Sequence, residues 1–206
     1  MTGTLVNHDD LLELDEQAQK LLFTEARTAN TFTEEPVTDE QLRAVYELTK
    51  FAPTSANTQP LRVLYVHKGE ARDRLVSHLL GANGPKAASA PVVAVLAADL
   101  GFHEHIPTLF PFRPEMKDSF EANPEGRERH ARFNATLQAG YFLLGVRAAG
   151  LSAGPMAGFD AEAVDREFFA DGRLKSILLV NIGHPGEGAF FDRLPRLEYD
   201  QVVRHI

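Results

Sequence analysis

The chain has 206 residues, no cysteine, a hydrophobic content of 44% and a formal net charge of −8. Missing thiols exclude disulfide staples, cysteine nucleophiles and cysteine-ligated zinc. The acidic balance argues against nucleic acid and anionic membranes as general partners.

Residues 1–10 lack the basic start and apolar core of a signal peptide. No apolar run approaches the ~20 residues that span a bilayer, so a cytoplasmic location without membrane contact is expected. Asp10 can cap a helix carrying Leu11, Leu14, Ala18, Leu21 and Leu22 on one face. Thr38 and Gln41 have the spacing of a capping box, opening a helix to about Phe51 that buries Leu42, Val45, Tyr46 and Leu48. Pro53 disfavours helical geometry at Ala52 and so ends it. A strand from Leu61 to Val66, an amphipathic helix from Glu70 to Leu80 and a continuously apolar central strand from Pro91 to Ala97 follow.

Residues 100–131 are polar and marked by prolines, which reads as a long irregular excursion and a candidate lid. Phe102, Phe110 and Phe112 could wall a substrate pocket there and Arg113 could meet a carboxylate; equally, the aromatics could complete the core. His103 and His105, one residue apart, point to opposite sides if extended, and no third ligand has motif spacing, so no metal site is expected.

Arg132 to Ala149 forms the most hydrophobic helix, with Leu137, Tyr141, Leu144 and Ala148 on one face and Phe133, Gly140, Phe142, Leu143 and Val146 on others. A helix apolar all round must be covered all round, which suggests a second subunit as well as its own sheet, the alternative being an ordinary core helix within a monomer. Asp160 caps Ala161 to Phe169, Asp171-Gly172 makes a turn, and Ser176 to Ile182 reads as a further buried strand. With no linker, repeat or low-complexity tract, residues 1–206 are expected to form one domain of mixed α and β structure.

The densest chemistry lies in Pro53-Thr54-Ser55-Ala56-Asn57-Thr58-Gln59-Pro60. Its hydroxyls and amides could bind the edge of a planar ligand bearing both donors and acceptors, or bond only their own backbone. This wording resembles the Pro-Ser-Ser-x-Asn-x-Gln-Pro loop of the nitroreductase family of flavoproteins. Four more segments fall in that family's order: Arg27-Thr28-Ala29-Asn30-Thr31-Phe32, Asn83-Gly84-Pro85-Lys86, Gly154-Pro155-Met156-Ala157-Gly158-Phe159-Asp160 and Arg193-Leu194-Pro195-Arg196. The resemblance runs from about Leu21 to Val203.

It implies an α+β fold with a central, mostly antiparallel sheet flanked by helices, and a long buried helix at a homodimer interface where FMN binds. Arg27 and Arg193 become ligands of the FMN phosphate, Thr28 an added hydroxyl donor beside Asn30, and Arg196 a further ligand or a subunit contact. Asn83 and Lys86 fall at the edge of the ring, and a cation there would stabilise the anionic reduced flavin. Pro53, Thr54, Ser55 and Asn57 would reach the ring from the other subunit, while a turn from Gly154 to Gly158, through Pro155, Met156 and Ala157, would present backbone to N5. Chemistry would follow a ping-pong course, hydride passing from NAD(P)H to flavin N5 and on to an acceptor, with no side-chain acid identified. No G-x-G-x-x-G follows a strand to hold a nicotinamide cofactor separately.

Asn30 and Phe191 stand where cations are frequent in the family, Leu61 where an aromatic is common and Ala157 where some nitro-compound reducers are acidic. Phe51 to Asn57, Ile106 to Pro111, Gly154 to Asp160 and Leu194 to Leu197 are similar to the malonic semialdehyde reductases of pyrimidine degradation. That implies reduction of 3-oxopropanoate to 3-hydroxypropanoate. Alternatives are a nitroreductase, quinone or enone reductase of the same family, a flavin-binding protein without turnover, and a cofactor-free hydrolase built on Ser55, which lacks a G-x-S-x-G elbow.

Overall fold

A computed structural model describes residues 11–206. In chain order the helices are α1 (Glu16–Gln19), α2 (Asp39–Thr49), α3 (Glu70–Ser77), α4 (Asn83–Ser89), α5 (Ile106–Leu109), α6 (Met116–Glu121), α7 (Pro124–Ala148), α8 (Ala161–Phe168) and α9 (Tyr199–Val202). The strands are β1 (Leu61–His67), β2 (Val92–Asp99), β3 (Ser152–Met156) and β4 (Leu174–Gly183). All pair antiparallel in the order β1-β2-β4-β3, an α+β arrangement.

β2 is buried at every position, which explains its unbroken apolar sequence. On one face Val93, Val95, Leu179 and Met156 meet Leu75 of α3, Ala87 of α4 and Val164 of α8. On the other, Val92, Ala94, Leu96, Val180 and Ile182 meet Leu42 and Val45 of α2 and Phe142 and Val146 of α7. A Cβ on Gly145 would collide with the Thr49 methyl, so this glycine lets α7 approach α2. The capping box forms as its spacing predicts, Thr38 Oγ1 accepting from Gln41 N–H and Gln41 Oε1 from Thr38 N–H. Asp160 caps α8 by accepting from Ala163 N–H.

Several expectations are corrected. Residues 100–131 are not irregular: a 3₁₀ turn over Phe102–His105, α5, α6 and the start of α7 fill them. Of the two readings of their aromatics, the core reading holds for Phe102, which is buried with Ile106, Ala131 and Ala135 and packs on Phe120 and His130. α7 begins at Pro124, because Asn123 caps polar first turns that an apolar pattern cannot reveal. Gly154 to Met156 are strand rather than turn, and Pro155 is tolerated because β3 is an edge strand. Tyr46 and Leu48 are exposed, since α2 buries only its Leu42 and Val45 face. Within one chain α7 is buried on one side, leaving Phe133, Leu137 and Tyr141 exposed, so its own sheet covers only part of it. The first described helix is capped by Asp15 and is short, with Leu11, Leu14 and Leu21 exposed; the expected cap, Asp10, lies outside the described residues.

At the end of β2, buried Asp99 accepts from Arg173 Nε (2.8 Å) and Gly101 N–H (2.8 Å) and pairs with Arg62 Nη2 (2.6 Å). Burial pushes its pKa up, but the bonds from Arg173, Arg62 and Gly101 together outweigh that and hold it below the usual carboxylate value. A depressed folded-state pKa gives stability that is fully present above the unfolded pKa and lost as pH falls through the folded one. Asp99→Ala is expected to cost about 2–3 kcal/mol at neutral pH, moderated because both guanidiniums can rehydrate, and to lose that difference in acid. Urea unfolding of both proteins in a series from pH 7 down into acid measures this, the difference shrinking as pH falls.

Candidate functional site

Three distant segments converge where β2 begins. Arg27–Asn30 lies along the free edge of β3, Ala29 N–H donating to Ala153 O (3.1 Å). A Cβ on Gly154 would sit 2.6 Å from Ala29 O, so the close approach requires glycine there. Beyond β4 the chain doubles back past the same segment, Asn30 N–H donating to Ala189 O (2.9 Å). This brings Arg193 beside Arg27. Arg193 Nη2 donates to Thr24 O (2.6 Å) and Ala26 O (3.1 Å), and Arg27 Nη1 donates to Phe191 O (3.0 Å).

The third segment is α4. Buried Arg72 fixes it, donating to Ala87 O (2.7 Å) and Ala90 O (2.8 Å) at its C-terminal end and to Val66 O of β1. Burial pushes the Arg72 pKa down to about 10, leaving the guanidinium charged at neutral pH. Asn83, at the other end of α4, donates to Gly158 O (3.0 Å), and a Cβ on Gly158 would fall 2.6 Å from Asn83 Nδ2. Asn83 therefore ties α4 to the segment after β3.

The result is a cavity of ≈ 430 Å³ lined by Arg27, Thr28, Asn30, Lys86, Arg147, Asp192, Arg193 and Arg196, among others. Sequence reasoning missed Arg147, which looks like an ordinary cation complementing the C-terminal end of α7. Its pKa is lowered by burial first and by repulsion from Arg193 second. Its Nε is buried with no hydrogen-bond partner among the described residues, and Nη1 donates to Leu22 O (3.2 Å). Among the described residues none of the five cations forms an ion pair; the four arginines are held by main-chain carbonyls. Charges fixed in place yet left unneutralised are a preorganised anion site. Asn30 contributes shape more than donors, its Nδ2 bonding Thr28 O and Ala189 O.

The polar loop forms a separate groove of ≈ 460 Å³ lined by Pro53, Thr54, Asn57, Gln59, Lys50 and Phe51, among others. Ser55 does not line it; its N–H donates to Asn134 Oδ1 (2.8 Å). The loop precedes β1 at the end of the sheet where β2 finishes, Asp99 N–H donating to Pro60 O (2.9 Å). β2 has eight residues and is about 25 Å long at roughly 3.3 Å per residue, and the loop and the cation cavity lie at its opposite ends. Asn134, which holds the loop, and Arg147, which lines the cavity, are about 20 Å apart along α7 at 1.5 Å per residue.

Pro155, Met156, Ala157 and Gly158 line neither cavity. Phe110 is half-buried on Phe112 (5.9 Å between ring centres), and exposed Arg113 pairs with Glu115 (3.1 Å). His103 is buried against Glu121 (2.5 Å) and His105 exposed, and no group of three or more potential metal ligands occurs among the described residues.

Comparison with known proteins identifies relatives of the whole chain. A family model described as "Nitroreductase family" matches residues 24–184. A protein of Streptomyces coelicolor, named as a candidate NADH dehydrogenase/NAD(P)H nitroreductase, is 57% identical over 91% of this chain and 93% of its own. Among solved structures, a nitroreductase-type protein of Bacillus subtilis superposes with a TM-score of 0.80 at 24% identity, over 93% of this chain and all of that one. One from Exiguobacterium sibiricum, solved in complex with FMN, gives 0.82 at 15% identity, over 94% and 99% of the two chains.

If Arg147 serves an anion rather than the fold, Arg147→Met should leave the anion-free protein no less stable, because it removes first the cost of burying a charge and second the repulsion from Arg193. The thermal stabilisation conferred by added inorganic phosphate should shrink in parallel. A large loss of stability without phosphate would make the residue structural.

Proposed function

The chain belongs to the nitroreductase family, and we propose that it is an FMN-dependent NAD(P)H oxidoreductase whose site is shared between two copies of one domain. The observation carrying this reading is the cavity in which five cations from four segments surround one space with Asp192 as the single acid. Those residues fit the dianionic phosphate of FMN, and the unpartnered Arg147 Nε supplies a donor without an acceptor. When bound, FMN supplies a ring that accepts hydride from NAD(P)H and returns it to an acceptor.

The chain's own residues bind and orient. Arg27 and Arg193, with Arg147, clasp the phosphate through guanidinium forks, and Thr28 adds a hydroxyl. Half-buried Lys86, with Asn83 behind it, places positive charge where negative charge develops on reduction. Pro155 to Gly158 flank the ring. Pro53, Thr54, Ser55 and Asn57 meet it from the partner chain, because on one chain they are held at the far end of the sheet from the cations. Exposed Phe133 (68%), Tyr141 and Leu137 on α7, Phe51 (79%), and Phe191 and Leu194 near the C-terminus supply apolar surface for such a homodimer. No helix among the described residues is long and apolar enough to cross a membrane, and we place the protein in the cytoplasm.

For the acceptor we propose malonic semialdehyde, reduced to 3-hydroxypropanoate, with Phe110 and Arg113 beside the ring to receive a short carboxylate. Relatives named as NAD(P)H nitroreductases favour a second reading, in which nitro compounds, quinones or enones are the acceptors.

Purified protein should show the visible bands of bound flavin. Replacing Arg27 and Arg193 together by alanine should weaken FMN at least ~100-fold while leaving riboflavin, which lacks the phosphate, almost unaffected. Equal loss of both ligands would contradict the phosphate assignment. Steady-state assays with NADH and NADPH against 3-oxopropanoate and a nitrofuran decide the acceptor; a much faster nitrofuran rate selects the second reading.

A further inference from the structure

Three residues of the polar loop, none of them glycine, adopt left-handed backbone: Ala56 (φ 50°), Asn57 (φ 50°) and Gln59 (φ 44°). Side chains other than glycine resist this geometry, so the surroundings must impose it. Asn57 Nδ2 donates to Leu109 O (2.9 Å) and Gln59 N–H donates to Thr54 Oγ1 (3.1 Å), and the contacts that bracket the strained residues come from one face of α7. Asn134 Oδ1 accepts from Ser55 N–H (2.8 Å), His130 Nε2 meets Thr58 Oγ1 (3.0 Å), and Gln138 Oε1 accepts from Leu61 N–H (2.9 Å). Ser55 and Thr58 bracket Ala56 and Asn57; Thr58 and Leu61 bracket Gln59. Every strained residue lies between two of these attachment points.

Orientations within the row are also fixed. Asn134 Nδ2 donates to His130 O (2.9 Å), which turns Oδ1 toward the loop. The Thr58 hydroxyl donates to Ser55 O (3.0 Å), so His130 completes the chain by donating its Nε2–H to Thr58 Oγ1. Thr58 and Asn134 are almost wholly buried, Gln138 is 7% exposed, and Phe102 stacks on His130 with ring centres 5.1 Å apart. A helix facing a core would ordinarily be apolar along this line.

We propose that His130, Asn134 and Gln138, four residues apart on α7, are positioning residues that hold the Pro53–Pro60 loop in the strained shape that meets the flavin ring. The inference rests on the FMN reading above. None of the three touches the ring; they act through Ser55, Thr58 and Leu61. Satisfying buried N–H groups would alone explain some polarity here, so the test needs more than melting temperatures.

The variants are Asn134→Leu, His130→Leu and His130→Gln, the last keeping a donor for Thr58. In flavin-free protein, amide hydrogen exchange at residues 55–59 should rise in both leucine variants and return toward wild type in His130→Gln. Dissociation constants for riboflavin and FMN should rise together, by about tenfold per lost contact, since the ring and not the phosphate is affected. The visible band of bound flavin should shift in the leucine variants only. Lower melting temperatures with unchanged exchange, unchanged binding of both flavins and an unshifted band would overturn the proposal. Should Asn134→Leu fail to fold, the two variants at half-buried His130 decide. Wild-type protein that binds neither flavin would defeat the underlying FMN reading instead, a result visible before any variant is made.

Discussion

The sheet itself separates two sets of polar groups that one ligand would need together. β2 is an eight-residue strand buried throughout, and it cannot bend to bring its ends together. The cations gather at its start and the polar loop at its finish. α7 runs beside it with one set of groups holding the loop and Arg147 reaching the cavity. On the proposed reading, a chain built this way carries two half-sites. Association of two chains is then part of the proposed chemistry rather than an addition to it.

Electrostatics follows the same division. The protein is acidic overall, yet five cations surround one cavity. Carbonyl oxygens hold the guanidiniums in position without neutralising them, and Arg147 and Arg193 repel each other. Such repulsion is tolerable where an anion is to be bound, because the ligand removes it. Arg72 shows the contrasting case: its guanidinium is buried under carbonyl groups and serves to fix α4, and through it Asn83 and Lys86. Position relative to the cavity, rather than residue type, separates the two roles.

Much of this was legible in the residues. The Thr38 and Gln41 box, the Asp160 cap and the unbroken apolar run of β2 each state a local physical requirement, and each element formed within a few residues of its expected bounds. Arg27, Thr28, Asn30, Lys86 and Arg193, separated by up to most of the chain, were readable only through the family's motif order, and they line one cavity. β3 was hidden because Gly154-Pro155 has the composition of a turn, and only its place at the sheet edge permits a proline. The first turns of α7 were hidden because they are charged and point largely outward. His130, Asn134 and Gln138 carried no signal, since polar residues at helical spacing ordinarily mark a solvated face. Their burial depends on a loop that the sequence places far away.

Complementation between subunits tests the shared site most directly. One chain carries Arg27→Ala and Arg193→Ala, the other carries Ser55→Ala and Asn57→Ala, and the two are coexpressed with different affinity tags so that hybrid dimers can be isolated. Neither parent should retain flavin well. Each hybrid should regain one intact site, formed by the cations of one chain and the loop of the other, and bind one flavin per dimer. Hybrids that form but bind no more flavin than the parents would contradict a site made from two chains.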